Sequence, residues 1–88
     1  MRLVMIEWVD SFGCSADWQE LVEGCQPKPI VCKSVGWLFS DGLECKVIVP
    51  HIADASENTA QQGCGDMTIP TNCISRILDL SETAQVSN

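Results

Sequence analysis

The sequence predicts a small, mainly β domain that presents one long polar loop. Residues 35–39 and 43–49 read as two strands, and the Asp41-Gly42 pair between them is a strong signal for a hairpin turn. Residues 51–65 are polar, and a second apolar stretch, residues 73–80, follows them. Three strands and one loop within so short a stretch are typical of a small β-barrel and not of a catalytic cleft.

Alternation of apolar and polar side chains identifies the strands. In residues 43–49 the odd-numbered positions are apolar, whereas Glu44 and Lys46 are charged. This pattern predicts a half-buried strand whose odd-numbered side chains face the core. Residues 3–9 are rich in β-branched and aromatic types, which favour strands. The five predicted strands are residues 3–9, 30–39, 43–49, 67–69 and 74–80.

Two breaks between these strands refine the fold class. Residues 15–24 predict a short helix after the first strand, because Trp18, Leu21 and Val22 recur at helical spacing. Pro70-Thr71-Asn72 predicts a single 3₁₀ turn between the last two strands. Five short strands with a one-turn break before the last are typical of an SH3-like five-stranded barrel. A fold-level analogy of this kind carries no function.

Length and charge narrow the class of protein. Eighty-eight residues predict one domain, residues 1–80, followed by a flexible tail, residues 81–88. The net charge is −7, and the five basic residues are scattered along the chain. We therefore expect no direct binding of nucleic acid and no adhesion to an anionic membrane. No apolar run is long enough to cross a bilayer as a helix.

The cysteines are numerous but lack a metal-binding pattern. Six cysteines occur without any CxxC pair, and we recognise no signal peptide before Glu7. We expect mostly reduced thiols in a cytoplasm, with disulfides and a metal site as the alternatives. His51 is the single histidine, and it belongs to no catalytic motif. A Cys14 or Cys64 nucleophile paired with His51 is the only enzyme hypothesis, and we disfavour it.

Three segments of the chain occur in a specific order. They are Glu7-Trp8-Val9-Asp10-Ser11, Ser34-Val35-Gly36-Trp37-Leu38 and Gly63-Cys64-Gly65-Asp66-Met67-Thr68-Ile69-Pro70. Together they resemble small proteins of unknown function encoded by tailed bacteriophages and prophages, over residues 4–80. The resemblance implies expression in the cytoplasm of an infected bacterium, and it supplies no catalytic residue. Many small accessory phage proteins act against host defence, by sequestering a nucleotide signal or by blocking a host protein.

The loop at residues 51–66 is the candidate binding segment. Backbone amides beside Gly63 and Gly65 can approach an anion closely, helped by Lys46 or Arg76. The alternative is a glycine-rich bend that only returns the chain to the sheet. Trp37 packs in the core or, if it faces outward, offers a stacking surface. The candidate ligand-binding residues are His51, Ser56, Asn58, Thr59, Gly63, Gly65, Asp66, Thr68 and Trp37.

The sequence is consistent with two functions. The first is a non-enzymatic phage accessory protein that sequesters a host-derived small molecule, such as a nucleotide signal, through residues 51–66. The second is an inhibitor that docks on a host protein through an acidic face or a sheet edge. We expect no catalytic residues, no cofactor and no metal, and we expect a homo-oligomer. A concave site would favour the first function, and a flat apolar patch the second.

Overall fold

The computed structural model describes residues 1–11, 18, 20 and 29–83. The fold is mainly β, as the sequence predicts, and the described residues contain no α-helix. One 3₁₀ helix, Thr71–Cys73, lies where the Pro70-Thr71-Asn72 break predicted a turn. The strands are β1 (Leu3–Asp10), β2 (Ile30–Asp41), β3 (Cys45–Val49), β4 (His51–Ala53), β5 (Gln62–Cys64), β6 (Met67–Pro70) and β7 (Ile74–Asp79).

Two antiparallel sheets make up the fold. The larger sheet has the strand order β6-β3-β2-β1-β7, and β4 and β5 form a separate two-stranded sheet. Strands β6 and β7 are the edges of the larger sheet and do not pair with each other. The closed SH3-like five-stranded barrel that we expected is therefore wrong, because β6 bonds only to β3 and β7 only to β1.

The open sheet is nevertheless strongly curled. In a flat sheet the two edge strands of five would lie about 19 Å apart, at ~4.8 Å per strand. The chain passes from Pro70 in β6 to Ile74 in β7 in four steps, which span at most ~14 Å when fully extended. The 3₁₀ turn shortens that reach further, so the two edges must approach at this corner.

The concave side of the curl holds a small core. Val4 and Ile6 of β1 are fully buried, and Ile69 of β6 is 1% exposed. These three side chains join one cluster although two strands separate β1 from β6, which is a direct result of the curl. The buried members of the cluster are Val4, Ile6, Leu38, Ile48 and Ile69, and Trp8, Ile74 and Ile77 pack against them.

Strand β3 is covered on both faces, which the alternation did not predict. Ile48, an even-numbered residue, is 3% exposed and belongs to the core cluster, together with its partner Leu38 on β2. The odd-numbered face points away from the core, yet Val49 on it is only 7% exposed. The predicted orientation of this strand is wrong because a second layer, described below, covers the face that we took for the core side.

Two β-bulges change which face of the sheet the neighbouring side chains lie on. The β2–β3 register shifts between Leu38 and Ser40, so Phe39 is the extra residue there. The β1–β7 register shifts opposite Glu7 and Trp8, where Ser75 is the extra residue. A bulge moves the following side chains to the other face of the sheet. Residues 74 and 77 therefore share the core side, which strict alternation along β7 could not predict.

Part of the prediction lies outside the described residues. In the helix expected over residues 15–24, the structure describes Trp18 and Glu20 alone, and both are exposed and outside any helix or strand. In the expected tail, residues 81–83 have no regular structure, and 84–88 lie outside the description. No helix among the described residues is long and apolar enough to span a bilayer.

Candidate functional site beneath the β4–β5 hairpin

The polar segment after β3 is a hairpin and not an open loop. Strand β4 pairs with β5 in the register His51↔Cys64, Ile52↔Gly63 and Ala53↔Gln62. Farther out, Ser56 and Thr59 exchange backbone hydrogen bonds of 2.8 and 3.3 Å. A single residue, Pro50, separates β3 from β4, so the hairpin turns back sharply at the end of β3.

Two glycines seat the hairpin on the sheet. A Cβ atom at Gly63 would lie 2.7 Å from Val49 Cγ1, so the hairpin approaches β3 more closely than a side chain allows. Gly65 has φ +75°, a conformation that favours glycine, and a Cβ there would lie 3.1 Å from Pro50 Cγ. Packing and backbone geometry therefore account for both glycines, as in the bend alternative that the sequence left open.

A cavity of about 480 Å³ lies between the hairpin and the convex side of the sheet. Its floor includes Val47, which lies directly opposite Ser40 of β2 on one side and Thr68 of β6 on the other. The lining is apolar on the floor and polar at the rim. Its members are Met1, Phe39, Ser40, Val47, Val49, Ile52, Gln61, Gln62, Gly63, Asp66 and Thr68.

Phe39 forms an unusual wall of this cavity. It is the extra residue of the β2 bulge, and it remains 68% exposed although it lines the cavity. Its aromatic ring is therefore largely open to solvent. A ligand in the cavity would cover part of that ring.

One carboxylate contributes charge to the cavity. Among the described residues of the lining, Asp66 has the only charged side chain, and Met1 carries the backbone amino group. The two cations that could have assisted anion binding are engaged elsewhere: Lys46 Nζ donates to Asp41 Oδ1 and to the Gly42 carbonyl oxygen, and Arg76 donates to Glu7. The hydrogen bond from Lys46 lowers the pKa of Asp41 below its usual value.

A third cation, Arg2, is also committed. Its Nε donates to Asp79 Oδ1 at 2.8 Å, and its Nη1 lies 3.9 Å from Asp41 Oδ2. The hydrogen bond with Asp79 raises the pKa of Arg2 and lowers that of Asp79. No lysine or arginine among the described residues lines the cavity.

The predicted site residues separate into two groups. Three of them, Gly63, Asp66 and Thr68, line the cavity. The others lie near it but outside the lining: Trp37 is on β2 opposite Leu3 and Val49, His51 pairs with Cys64, Gly65 precedes Asp66, and Ser56, Asn58 and Thr59 form the exposed hairpin tip.

Sequence reasoning missed the apolar part of the site. Phe39, Val47, Val49 and Ile52 line the cavity, and each was assigned to a strand interior or to a polar loop. One signal could have indicated Phe39: alternation along a strand puts Leu38 and Phe39 on opposite faces, so both faces of β2 carry a large apolar side chain. The polar residues Gln61 and Gln62 carried no such signal.

His51 and Cys64 are neighbours across the β4–β5 hairpin. They are directly opposed across β4 and β5, and no hydrogen bond joins their side chains. Within the part of the chain that the structure describes, Cys32, Cys45, Cys64 and Cys73 are free thiols, and no group of three potential metal ligands occurs. Cys14 and Cys25 lie outside the described residues, and the expectation of reduced thiols stays a prediction.

Comparison with known proteins gives no relative for this chain. No family model matches it, no curated protein is similar to it, and no solved structure matches its fold. The resemblance to phage proteins remains an expectation from the residues, and the function must be argued from the cavity.

Proposed function

We propose that this protein is a binding module for a small molecule with an apolar body, and that the cavity beneath the β4–β5 hairpin is its site. The observation that carries the proposal is the cavity itself. Its volume of about 480 Å³ is in the range of small-molecule sites, and its lining combines an apolar floor with a few polar groups, as such sites do.

The lining also limits the chemistry of the ligand. A phosphate would meet the carboxylate of Asp66, and the described part of the wall offers it no lysine or arginine. The nucleotide signal that we considered from the sequence is therefore less well supported than a neutral or cationic molecule. The hydroxyl and amide groups of Thr68 and Gln62 would orient such a molecule while Phe39 and Val47 cover its apolar part.

The biological setting follows from the phage resemblance and is part of the proposal. In the cytoplasm of an infected bacterium, a non-enzymatic module of this kind would sequester a host-derived small molecule. Residues 51–66 contribute to it as one side of the cavity, because β5 and the turn after it supply Gln62, Gly63 and Asp66.

Titration with the neutral fluorescent probe N-phenylnaphthylamine tests the proposal. We expect saturable binding that Phe39→Ala weakens roughly tenfold, since the lost aromatic contact is worth about 1.5 kcal/mol. Leu43→Ala is the matched control, because Leu43 is 95% exposed and lies outside the cavity. No saturable binding, or equal losses in both variants, would rule out the cavity as the site.

The docking function remains a second candidate because of the convex face of β7, β1 and β2. Leu78, Met5 and Val35 lie in one row across these strands, and Leu78 and Val35 are 39% and 53% exposed. An inhibitor acting through this row would lose its partner on Val35→Glu and keep it on Phe39→Ala. Co-purification of each variant with host proteins distinguishes the two functions.

A further inference from the structure

We infer that the cavity selects organic cations, with an ammonium group against Asp66 and an apolar body against Phe39 and Val47. This inference rests on the proposed function, because it names the class of molecule that the same cavity accepts. It differs from the expectation from the sequence, in which glycine amides in this segment would hold an anion.

The first argument is the state of the Asp66 carboxylate. The ion pairs among the described residues engage Asp41, Asp79 and Glu7, and none engages Asp66. A carboxylate without a protein cation retains its full capacity for a bound one. A ligand that fills the cavity would also exclude water from this carboxylate, which strengthens the attraction because the local dielectric falls.

The second argument is the wall on which the cation would lie. Phe39 presents an aromatic ring at the cavity, and the face of such a ring attracts an ammonium group. Thr68 and Gln62 add oxygen atoms whose partial negative charge favours a cation in the cavity. Aromatic ring, carboxylate and neutral acceptors together match a substituted amine better than they match a neutral molecule.

The third argument is the charge of the whole chain. A net charge of −7 attracts cations and repels anions before contact. Two of the four basic residues at described positions, Arg2 and Lys46, are held by Asp41 or Asp79, and a third, Arg76, by Glu7. The cavity therefore lies in a field that favours a cationic ligand, and its binding should weaken as salt screens the charges.

Calorimetric titration with three probes that share a phenyl ring tests the charge preference. The probes are benzyltrimethylammonium, neutral benzyl alcohol and anionic phenyl phosphate. We expect the cation to bind up to about fivefold more tightly than the alcohol, the factor that corresponds to about 1 kcal/mol for one exposed ion pair, and the phosphate to bind most weakly. Asp66→Asn should bring the cation and the alcohol to similar affinity.

A matched control isolates the position of the carboxylate. Asp54→Asn removes the same charge from an exposed residue of the hairpin that does not line the cavity, and it should leave the preference for the cation intact. Equal binding of cation and alcohol by the unmodified protein would overturn the inference, and so would a preference that survives Asp66→Asn. If N-phenylnaphthylamine still binds in that case, the proposed function stands. If neither that probe nor any of the three binds, both fail.

Discussion

Thr71 holds a buried polar atom that the fold does not satisfy. Its backbone N–H donates to the Glu44 carbonyl oxygen at 2.9 Å, but its side-chain Oγ1 is buried without a partner among the described residues. Leaving such a group unsatisfied costs about 1–3 kcal/mol. We expect Thr71→Val, which keeps the shape and removes the hydroxyl, to raise the free energy of unfolding by about 1 kcal/mol in urea denaturation.

Thr71→Ser provides the control for that prediction. It keeps the hydroxyl and removes the methyl group, so it should lower the free energy of unfolding. Equal destabilisation by both substitutions would contradict the conclusion that Thr71 Oγ1 lacks a hydrogen-bond partner. It would show that the hydroxyl has a partner in solution.

The close approach at Gly63 gives a second prediction at the scale of single residues. In Gly63→Ala the new Cβ would lie 2.7 Å from Val49 Cγ1, so the hairpin or β3 must shift. We expect a loss of about 1–3 kcal/mol in the free energy of unfolding, as overpacking usually costs. If the clash is the cause, Gly63→Ala combined with Val49→Ala should cost less than the sum of the two single substitutions. Additive losses would argue against the contact.

The ion pairs predict how stability depends on pH. Hydrogen bonds from Lys46 and Arg2 lower the pKa of Asp41 and of Asp79 in the folded state, below the ordinary value of 3.8. Their contribution is therefore present above about pH 3.8 and is lost as pH falls through the lower folded values. Both carboxylates are exposed, so the effect is small. Melting temperatures measured down to acidic pH should fall less for Asp79→Asn than for the unmodified chain.

At the scale of elements, the β4–β5 hairpin is the weakest part of the described fold. It has three paired residues on each strand, and a two-stranded hairpin alone is marginally stable in water. Its attachment is the packing of Gly63 on Val49 and the short link through Pro50. We expect its amides to exchange hydrogen faster than those of β1 and β2, which pair with neighbours on both sides.

Ligand binding should slow hydrogen exchange in the β4–β5 hairpin relative to the rest of the sheet. Benzyltrimethylammonium in the cavity would bridge the hairpin to β3, so exchange in β4 and β5 should slow while exchange in β1 stays constant. Slowing across the whole chain would instead indicate general stabilisation, and no slowing at saturation would place the ligand elsewhere.

Strand positions could be predicted because local signals specify them. Alternation and β-branched residues located β1 and β3, and the Asp41-Gly42 pair located the turn between β2 and β3. The β4–β5 hairpin was missed because each of its strands has only three residues, most of them polar. Such a segment is too short to show the alternation of apolar and polar residues that identifies a strand. The open edge could not be predicted, because whether β6 pairs with β7 depends on the curl of the whole sheet.

The site was predicted in part for a related reason. Gly63 and Asp66 were named because glycines and polar groups in a loop are a local signal, and Thr68 was named as a neutral donor on the short strand that follows the loop. Phe39 and Val47 were missed because alternation separates the side chains of a strand into two faces. It does not indicate that other parts of the protein cover both faces. The β2 bulge at Phe39 is a property of the pairing with β3 and leaves no mark in the sequence of β2 alone.

At the scale of the whole molecule, much apolar surface remains exposed on the described residues. Six hydrophobic residues are buried below a tenth of their surface, whereas larger apolar side chains stay in solvent on the convex face and at the edges. Within the described ranges, strands β6 and β7 each have one side without a strand partner, and such edges invite pairing with another chain. The row Leu78, Met5 and Val35 runs to the free edge of β7, so it ends where a second chain could pair.

These features predict self-association. If β7 pairs with β7 of a second copy across a twofold axis, the two apolar rows meet and the β7 edge of each copy is covered, while the β6 edges stay open. Light scattering after gel filtration should then give a mass above the 9.6 kDa of one chain and a dependence on concentration. Leu78→Lys should shift the population to monomer because it places a charge at that edge. Leu43→Lys adds the same charge at a residue 95% exposed outside the strands and should change nothing. A mass of one chain at every concentration would mean that the edges stay solvated, and the convex face would then be available to a different partner.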